Sequence, residues 1–514
     1  MNNNYYKGSQ LYLLNLALGL GTFIQILDTS IANVAIPYIA GNLSVSVDEG
    51  TWIITSFAAS NAVMLPLTGW LSDYFGRVRL FVWSIILFSI SSLLCGLAIN
   101  LSMLVFFRVI QGAVAGSLIP LSQSLIDSCN PPEKRGSALG FWGMIVIVAP
   151  VLGPIVGGYL TYAYSWPWIF YINLPIGFFS ASVVWYYLKE RESKIVRAPI
   201  DWLGLFLLSL GVASMQIMLD KGKDLDWFES STIIALTIIS IVALTYFAIW
   251  SYFQRHPIVD FSFFKNRNFA LGTFFTSIGY MVFFGSTVTV PLWLQTQQNY
   301  TPLWAGIAVA PVGVIPILFS TTVGKYLHRF DLRLVSSLSF SLFALGFLYQ
   351  SSFTTEVSLH KVMLARFIQG FGVVLFFLPL AYQTLGEVDK NHYARAAGLF
   401  HFLRILIASG FGTSLAIQLW IRLEIFHYSR LTEAFTDYRP SITQLYEHLA
   451  EKGNFSRNMI TQLLDTQITQ QAYMLSTNDL SWLGACTFIL MIPMLFLFKR
   501  VRQPAIPEAE ESMH

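Results

Sequence analysis

The sequence predicts an all-α integral membrane protein of fourteen spanning helices grouped six, two and six. Three observations carry that prediction. Of 514 residues, 55% are hydrophobic and only 11% charged, against roughly 25% charged in a soluble globular domain. The apolar runs are continuous and near the ~20 residues needed to cross a ~30 Å hydrocarbon core, without the period-two alternation of membrane strands. Finally, Arg108-Val109-Ile110-Gln111-Gly112 and Arg366-Phe367-Ile368-Gln369-Gly370 recur 258 positions apart, each inside such a run.

In chain order the first six runs are 11–37, 51–71, 80–100, 102–127, 138–160 and 167–188. Arg108 falls in the fourth. Arg366 falls in the fourth run of a second six, at 269–293, 303–324, 333–353, 362–384, 396–418 and 481–499, if the runs 201–219 and 231–251 are an insertion. The predicted units are therefore 1–188, 189–260 and 261–514. A second echo agrees: Gly69 to Arg79 after helix two resembles Gly324 to Arg333 after helix ten. Such duplication, related by an axis along the membrane normal, is a common transporter plan. The segment 420–480 is polar and placed outside the bilayer. Its apolar residues Ile442, Leu445, Leu449, Met459, Leu463, Leu464 and Ile468 recur at helical spacing, which predicts two amphipathic helices.

Loop charge sets the orientation. With both termini in the cytoplasm, twenty of the 31 Lys and Arg residues fall in cytoplasmic segments, as the positive-inside rule requires. The net charge of +3 is too small to argue for nucleic acid. Cys95, Cys129 and Cys486 show no metal spacing and no disulfide framework, and no metal or catalytic set is expected. The first apolar run carries Asp28 and no small-residue cleavage site, so it reads as a span and not a leader. No Walker A pattern occurs, which argues against ATP coupling.

Charges inside spans are expensive and mark functional sites. Asp28 is the one acidic residue deep in an apolar helix of the first six, at a depth compatible with Arg108. Desolvation disfavours an ionised carboxylate and a nearby guanidinium favours it, so a buried Asp beside Arg can exchange a proton as water enters. Asp28 is thus the expected proton carrier and Arg108 its partner; a purely structural ion pair would use the same two residues. Helices nine to fourteen hold no deep acidic residue for Arg366, so the second copy is expected to pair with carbonyls or polar groups. Gln25, Asn33, Gln111, Arg366, Gln369 and Arg404 are candidate cavity residues, since deep polar groups need partners. His401 lies one turn before Arg404. Phe283, Phe284, Phe376, Phe377 and Met281 are candidates for an adaptable apolar lining.

These residues resemble the major facilitator superfamily, in its fourteen-helix branch of EmrB/QacA-like drug:proton antiporters. The family loop motif GxLaDrxGrkr is similar to Gly69 to Arg79, with Gly69, Leu71, Asp73, Gly76, Arg77 and Arg79 in place. The antiporter motif GPxxGG resembles Gly153-Pro154-Ile155-Val156-Gly157-Gly158, and the first-helix signature LDxTxxNVALP resembles Leu27 to Pro37 with Thr29 one place early. Trp168 to Gly177 and Asp201-Trp202-Leu203-Gly204 also look like this branch, although Pro167 stands where many members carry Arg.

The resemblance implies a cytoplasmic gate at Gly69, Asp73, Gly76, Arg77 and Asp127, and a bending element at Gly143, Gly153, Pro154, Gly157 and Gly158 that faces the other half. It also implies proton-coupled export of hydrophobic or amphipathic compounds from the bilayer of a bacterial inner membrane, with no cofactor beyond the proton gradient. The similarity is greatest to EmrB-type pumps of Gram-negative bacteria, which adds an EmrA-like periplasmic adaptor and an outer-membrane channel as expected partners. The 420–480 segment would dock the adaptor or cap the outer mouth. An exporter of an endogenous metabolite or siderophore, or a non-transporting sensor on the same fold, would share most of these features.

Overall fold

The computed structural model describes residues 6–499 apart from 7, 194, 196–198, 200, 223–224, 255–256, 389–392 and 434–456. Among these residues there are helices and connecting turns but no strands. The first half contains α1 (Ser9–Asn42), α2 (Trp52–Phe75), α3 (Arg77–Gly96), α4 in two pieces (Leu101–Ala115 and Leu118–Cys129), α5 (Pro132–Ala163) and α6 (Asn173–Leu188). Next come α7 (Trp202–Lys221) and α8 (Ser231–Phe253). The remainder is α9 (Arg267–Thr296), α10 in two pieces (Pro302–Val309 and Pro311–Tyr326), α11 (Leu332–Gln350) and α12 in two pieces (Leu359–Val374 and Phe377–Leu385). It closes with α13 (Tyr393–Ile405, continued by Thr413–Glu433) and α14 (Arg457–Met494).

Eleven of the described helices are long and apolar enough to cross a membrane. The other three predicted spans fall on α2, α5 and the broken α10, so the fourteen-helix expectation fits the chain.

Local chemistry explains where the helices start. Asn100, Asp201, Thr301 and Asp331 each accept a backbone N–H of the first turn of their helix, a cap worth about 1 kcal/mol. Pro132 and Pro302 occupy the first turn of α5 and α10, where no intrahelical N–H is required. Asp201 does more than cap α7. Its carboxylate also accepts the Trp250 indole N–H at 3.0 Å, tying α7 to α8. A π-helical stretch, Leu406–Gly412, interrupts α13.

Small residues let the helices approach closely, the usual basis of helix packing in lipid. A Cβ on Gly112 would lie 2.3 Å from the Phe57 carbonyl oxygen on α2, and one on Gly177 would lie 2.1 Å from Ser89 Oγ on α3. Gly153 and Gly157 pack against Ser30 and Ile31 of α1, while nothing lies near Gly158. Here the structure corrects an expectation. Gly153 and Gly157 face α1 of their own half, where Ser30 donates to the Pro150 carbonyl at 3.0 Å, whereas Gly143 of the same predicted element does meet the other half, at Leu378 of α12. Pro154 lies within α5. Gly136 and Gly140, one to two turns into α5, meet the other half instead: their Cβ positions would fall 2.3 Å from the Gly324 oxygen and 2.5 Å from the Ser320 oxygen of α10.

The 420–480 segment also differs from expectation. Ile442, Leu445 and Leu449 lie outside the described residues. Thr413–Glu433 continues α13 and Arg457–Met494 is α14 itself, the two joined by His427 to Asp479 and by Tyr428 to Asp465 at 2.7 and 2.6 Å. Met459, Leu463, Leu464 and Ile468 thus sit on an extended spanning helix, not on a separate amphipathic one. The polar composition reads as surface, but long-range pairing makes it the end of two membrane helices.

Candidate functional site

The deepest polar cluster of the first half forms where α1, α3, α4 and α6 converge. Arg108 and Asp28 are both buried, and the Arg108 NH1 group contacts Asp28 Oδ2 at 2.5 Å. Asp28 Oδ1 accepts the Asn173 amide at 2.8 Å and the Gln111 amide at 3.2 Å. Arg108 also donates from NH1 to Gln111 Oε1 at 2.8 Å and from Nε to the Ile53 carbonyl of α2 at 3.0 Å. Its guanidinium carbon lies 4.3 Å from the centroid of the Phe57 ring, a cation–π contact that the low dielectric strengthens.

A further layer holds these groups. Asn173 donates to Ser92 Oγ at 2.9 Å, Ser92 donates to the Phe170 carbonyl at 2.9 Å, and the Cys95 thiol points to Gln111 Oε1 at 3.6 Å. Asn173 Oδ1 and Arg108 NH2 lack hydrogen-bond partners among the described residues. Asn173 and Ser92 escaped the sequence reading. Asn173 lies inside the Trp168 to Gly177 stretch, and its signal is an uncharged amide deep in an apolar run, the same signal that singles out Gln111. A buried amide must be hydrogen-bonded, and Asp28 supplies the acceptor.

The repeat gives a second site of the same frame and different chemistry. Arg366 NH1 donates to Gln369 Oε1 at 2.8 Å, and its NH2 donates to both the carbonyl and the hydroxyl of Ser286 on α9 at 3.0 Å. No carboxylate reaches Arg366 among the described residues. Gly370 packs on Pro311 and Ile315 of α10, as Gly112 packs on α2.

The other named positions scatter. Gln25 is buried, and its Oε1 has no hydrogen-bond partner among the described residues. Asn33 is exposed, against the expectation of a satisfied buried amide, because it shares an uncovered face of α1 with Pro37 while Ile31, Ala35 and Ile39 of the same stretch are buried. Arg404 is buried between aromatic rings, 4.8 Å from the Tyr280 centroid and 5.0 Å from that of Phe377. Phe376 and Phe377 belong to an aromatic core that includes Tyr280, Phe340, Phe343 and Phe488; they fill space, and do not line an open cavity.

On the face where α1 begins and where Lys499 follows α14, the two halves touch. Arg395 of α13 donates to Asp73 Oδ2 from Nε at 2.9 Å and from NH2 at 2.5 Å. A Cβ on Gly69 would lie 2.7 Å from Arg395 Cγ. Arg77 opens α3 beside them, and Asp127 lies 3.7 Å from Arg135. Gly76 has φ +90, and a Cβ there would strike the Glu192 carboxylate. That carboxylate accepts the backbone N–H groups of Val78 and Arg79 at 3.1 and 2.9 Å. Gly76 therefore combines a left-handed turn with room for an anion at a helix N-terminus. Arg395 and Glu192 were not expected here: one was counted only as loop charge and the other is remote in sequence. Deeper in the same seam, His401 of α13 meets Gln123 of α4, and Trp142 of α5 meets Phe377 of α12. This face is closed.

Residues 18–413 match the model of the Major Facilitator Superfamily. The fatty acid resistance protein FarB of Neisseria gonorrhoeae is 45% identical over 493 residues, covering 96% of this chain and 97% of FarB. The multidrug export protein EmrB of Escherichia coli (strain K12) is 44% identical over 495 residues, covering 96% of each. Among solved structures, the human organic anion transporter MFSD10 (TETRAN) superposes with a TM-score of 0.54 at 12% identity, over 94% of this chain and 100% of that one, a likeness of fold alone. A duplicated arginine frame, two halves meeting across a closed seam and similarity over nearly the whole length lead to one conclusion: this chain is a transporter of the Major Facilitator Superfamily and belongs with its EmrB-like members.

Proposed function

We propose that this chain is a proton-driven exporter of lipophilic and amphipathic compounds, working by alternating access between its two six-helix units. The observation that carries the reading is the buried Asp28 carboxylate, held by Arg108, Gln111 and Asn173 within a membrane-spanning half. A proton arriving at Asp28 neutralises the carboxylate and loosens its hold on Arg108, so occupancy by a proton favours a different packing of α1, α4 and α6. Linkage makes this reciprocal: a conformation that binds the proton better is favoured by it. The proton gradient is the energy source, and no cofactor or catalysis is involved.

Substrate class follows from the relatives, whose names speak of multidrug export and of fatty acid resistance. Fatty acids are lipophilic, and we carry that class, with the breadth that multidrug export names, to this chain. Positive charge in the Asp73 loop and its companions supports cytoplasmic termini, so the closed face is the inner gate and the conformation is outward-facing. Location in a bacterial inner membrane, with an EmrA-like adaptor and an outer-membrane channel as partners, completes the reading. The extended α13–α14 pair is the surface assigned to the adaptor.

Efflux from proteoliposomes under an imposed pH gradient tests the reading. Wild type is expected to export a lipophilic dye, and Asp28→Asn to lose gradient-driven efflux. Undiminished, gradient-dependent efflux by the variant would overturn the assignment of Asp28.

A further inference from the structure

One buried titratable side chain plays no part in the Asp28 site. His401 lies on α13, two turns along the helix from Arg395, and is fully buried in the seam between the halves. Its Nε2 faces Gln123 Oε1 of α4. An amide oxygen only accepts, so Nε2 carries the hydrogen and donates it. Nδ1 then bears the lone pair, and it has no hydrogen-bond partner among the described residues. The rest of the pocket is aromatic. The Trp142, Phe377 and Phe400 rings lie 6.5, 6.3 and 5.3 Å from the imidazole, and the Trp142 indole donates to Thr22 on α1, the helix that carries Asp28.

Among the charged groups on the elements packed here, Arg404 disfavours a second cation, and the carboxylates are already paired with arginines. Arg404 is one turn away on α13, stacked on Tyr280 of α9 and Phe377 of α12. On α2 the carboxylate is Asp73, taken by Arg395. On α4 it is Asp127, close to Arg135. Tyr382 of α12 and Tyr393 of α13 are neutral phenols. No ion pair joins His401 to any of these among the described residues.

Resting on the proton-driven reading above, we propose that His401 is a second proton-accepting residue of the transport cycle, and that a proton on Nδ1 opens the seam that its contact with Gln123 helps to close. Histidine is the side chain whose ordinary titration falls between pH 5 and 8. In the closed seam an imidazolium would stand in a dry aromatic pocket next to Arg404, with no carboxylate to offset it. Parting the halves admits water to the ring. The open state therefore binds the proton better, and the proton favours the open state. Asp28 and His401 would then divide the work, one in the packing of a single half and the other at the boundary between halves.

Spin labels at Lys134→Cys on α5 and Lys325→Cys on α10, both exposed positions, read the opening of this face in nanodiscs. The background is Cys486→Ser, Cys95 and Cys129 being buried. From about pH 8 down to about pH 5, the wild-type label distance is expected to lengthen. His401→Gln, which keeps an amide donor for Gln123, is expected to hold the short distance throughout. His401→Lys, with a fixed charge, is expected to show the long distance already at pH 8. A short distance for His401→Gln at pH 8 also certifies its fold.

If His401→Gln lengthens with pH as wild type does, the proposal is overturned. The same measurement on Asp28→Asn separates the two readings. Loss of the pH response there, with His401→Gln unaffected, sinks the His401 assignment and leaves Asp28 as the proton site. A retained response in Asp28→Asn, lost in His401→Gln, supports the proposal whatever dye efflux shows for Asp28.

Discussion

The sites around Arg108 and Arg366 share a frame and differ in one partner. In both, the guanidinium donates to a glutamine three residues on at 2.8 Å, and the glycine after that glutamine lets a neighbouring helix approach. In both, the arginine then reaches the first helix of its own six. There the first half presents Asp28 and the second presents Ser286. The difference teaches that duplication preserved the costly part, a buried cation with its local hydrogen bonds, while titratable chemistry was kept in only one copy. A buried arginine met by a carboxylate can respond to protons; one met by a hydroxyl and a carbonyl is an anchor.

The largest expected effect that bears on this contrast is kinetic. Asp28→Asn should lower gradient-driven efflux by ~10²-fold or more, the scale of a lost proton-transfer group, as read from initial rates in proteoliposomes. Adding Ser286→Asp to that variant should restore little, because Arg366 lacks the Asn173 and Ser92 support that positions Asp28. Full restoration would make the two sites interchangeable and erase the comparison.

Stability comes next. Arg108→Leu leaves Asp28 buried and unpaired, and should cost about 3–5 kcal/mol by denaturant unfolding in detergent micelles. Arg366→Leu strands only a glutamine and a serine, and should cost about 1–3 kcal/mol. Equal losses would show that Ser286 serves Arg366 as well as Asp28 serves Arg108.

A smaller effect separates seams from single-half packing. Gly136→Ala places a methyl against the Gly324 carbonyl and should shift the Lys134 to Lys325 label distance toward the open state. Gly158→Ala meets nothing within 4 Å and should leave the distance unchanged. The smallest effect belongs to Asp73→Asn. Its pair with Arg395 is partly exposed, so a loss of about 0.2–1 kcal/mol in closure is expected, seen as a modest rise in the open population of the same labels.

Much of this was legible in the chain because membrane burial makes polar residues conspicuous. Asp28, Arg108 and the repeat stand out against apolar runs, and their shared depth follows from helical rise alone. What stayed hidden depends on rotation and on distant partners. Gly153 and Gly157 turn toward α1 while Gly143 meets the other half, since glycine spacing gives a small-residue stripe but not the helix it meets. Arg395 was one basic loop residue among many until Asp73 was found beside it. Asn33 looks like Gln111 in sequence, and only its place on an uncovered face of α1 tells them apart. The segment beyond α13 was misread because polar residues on the protruding part of a long helix have the composition of a surface loop.

That protrusion has a mechanical consequence. At 1.5 Å per residue the 38 residues of α14 form a rod of about 57 Å, nearly twice the ~30 Å apolar thickness of a bilayer. Braced to α13 by His427 and Asp479, it is a lever rooted in the second half. A tilt of about 10° about its base would sweep its tip through roughly 10 Å. Small rearrangements within the bilayer are thereby amplified into a displacement large enough for a neighbouring protein to feel.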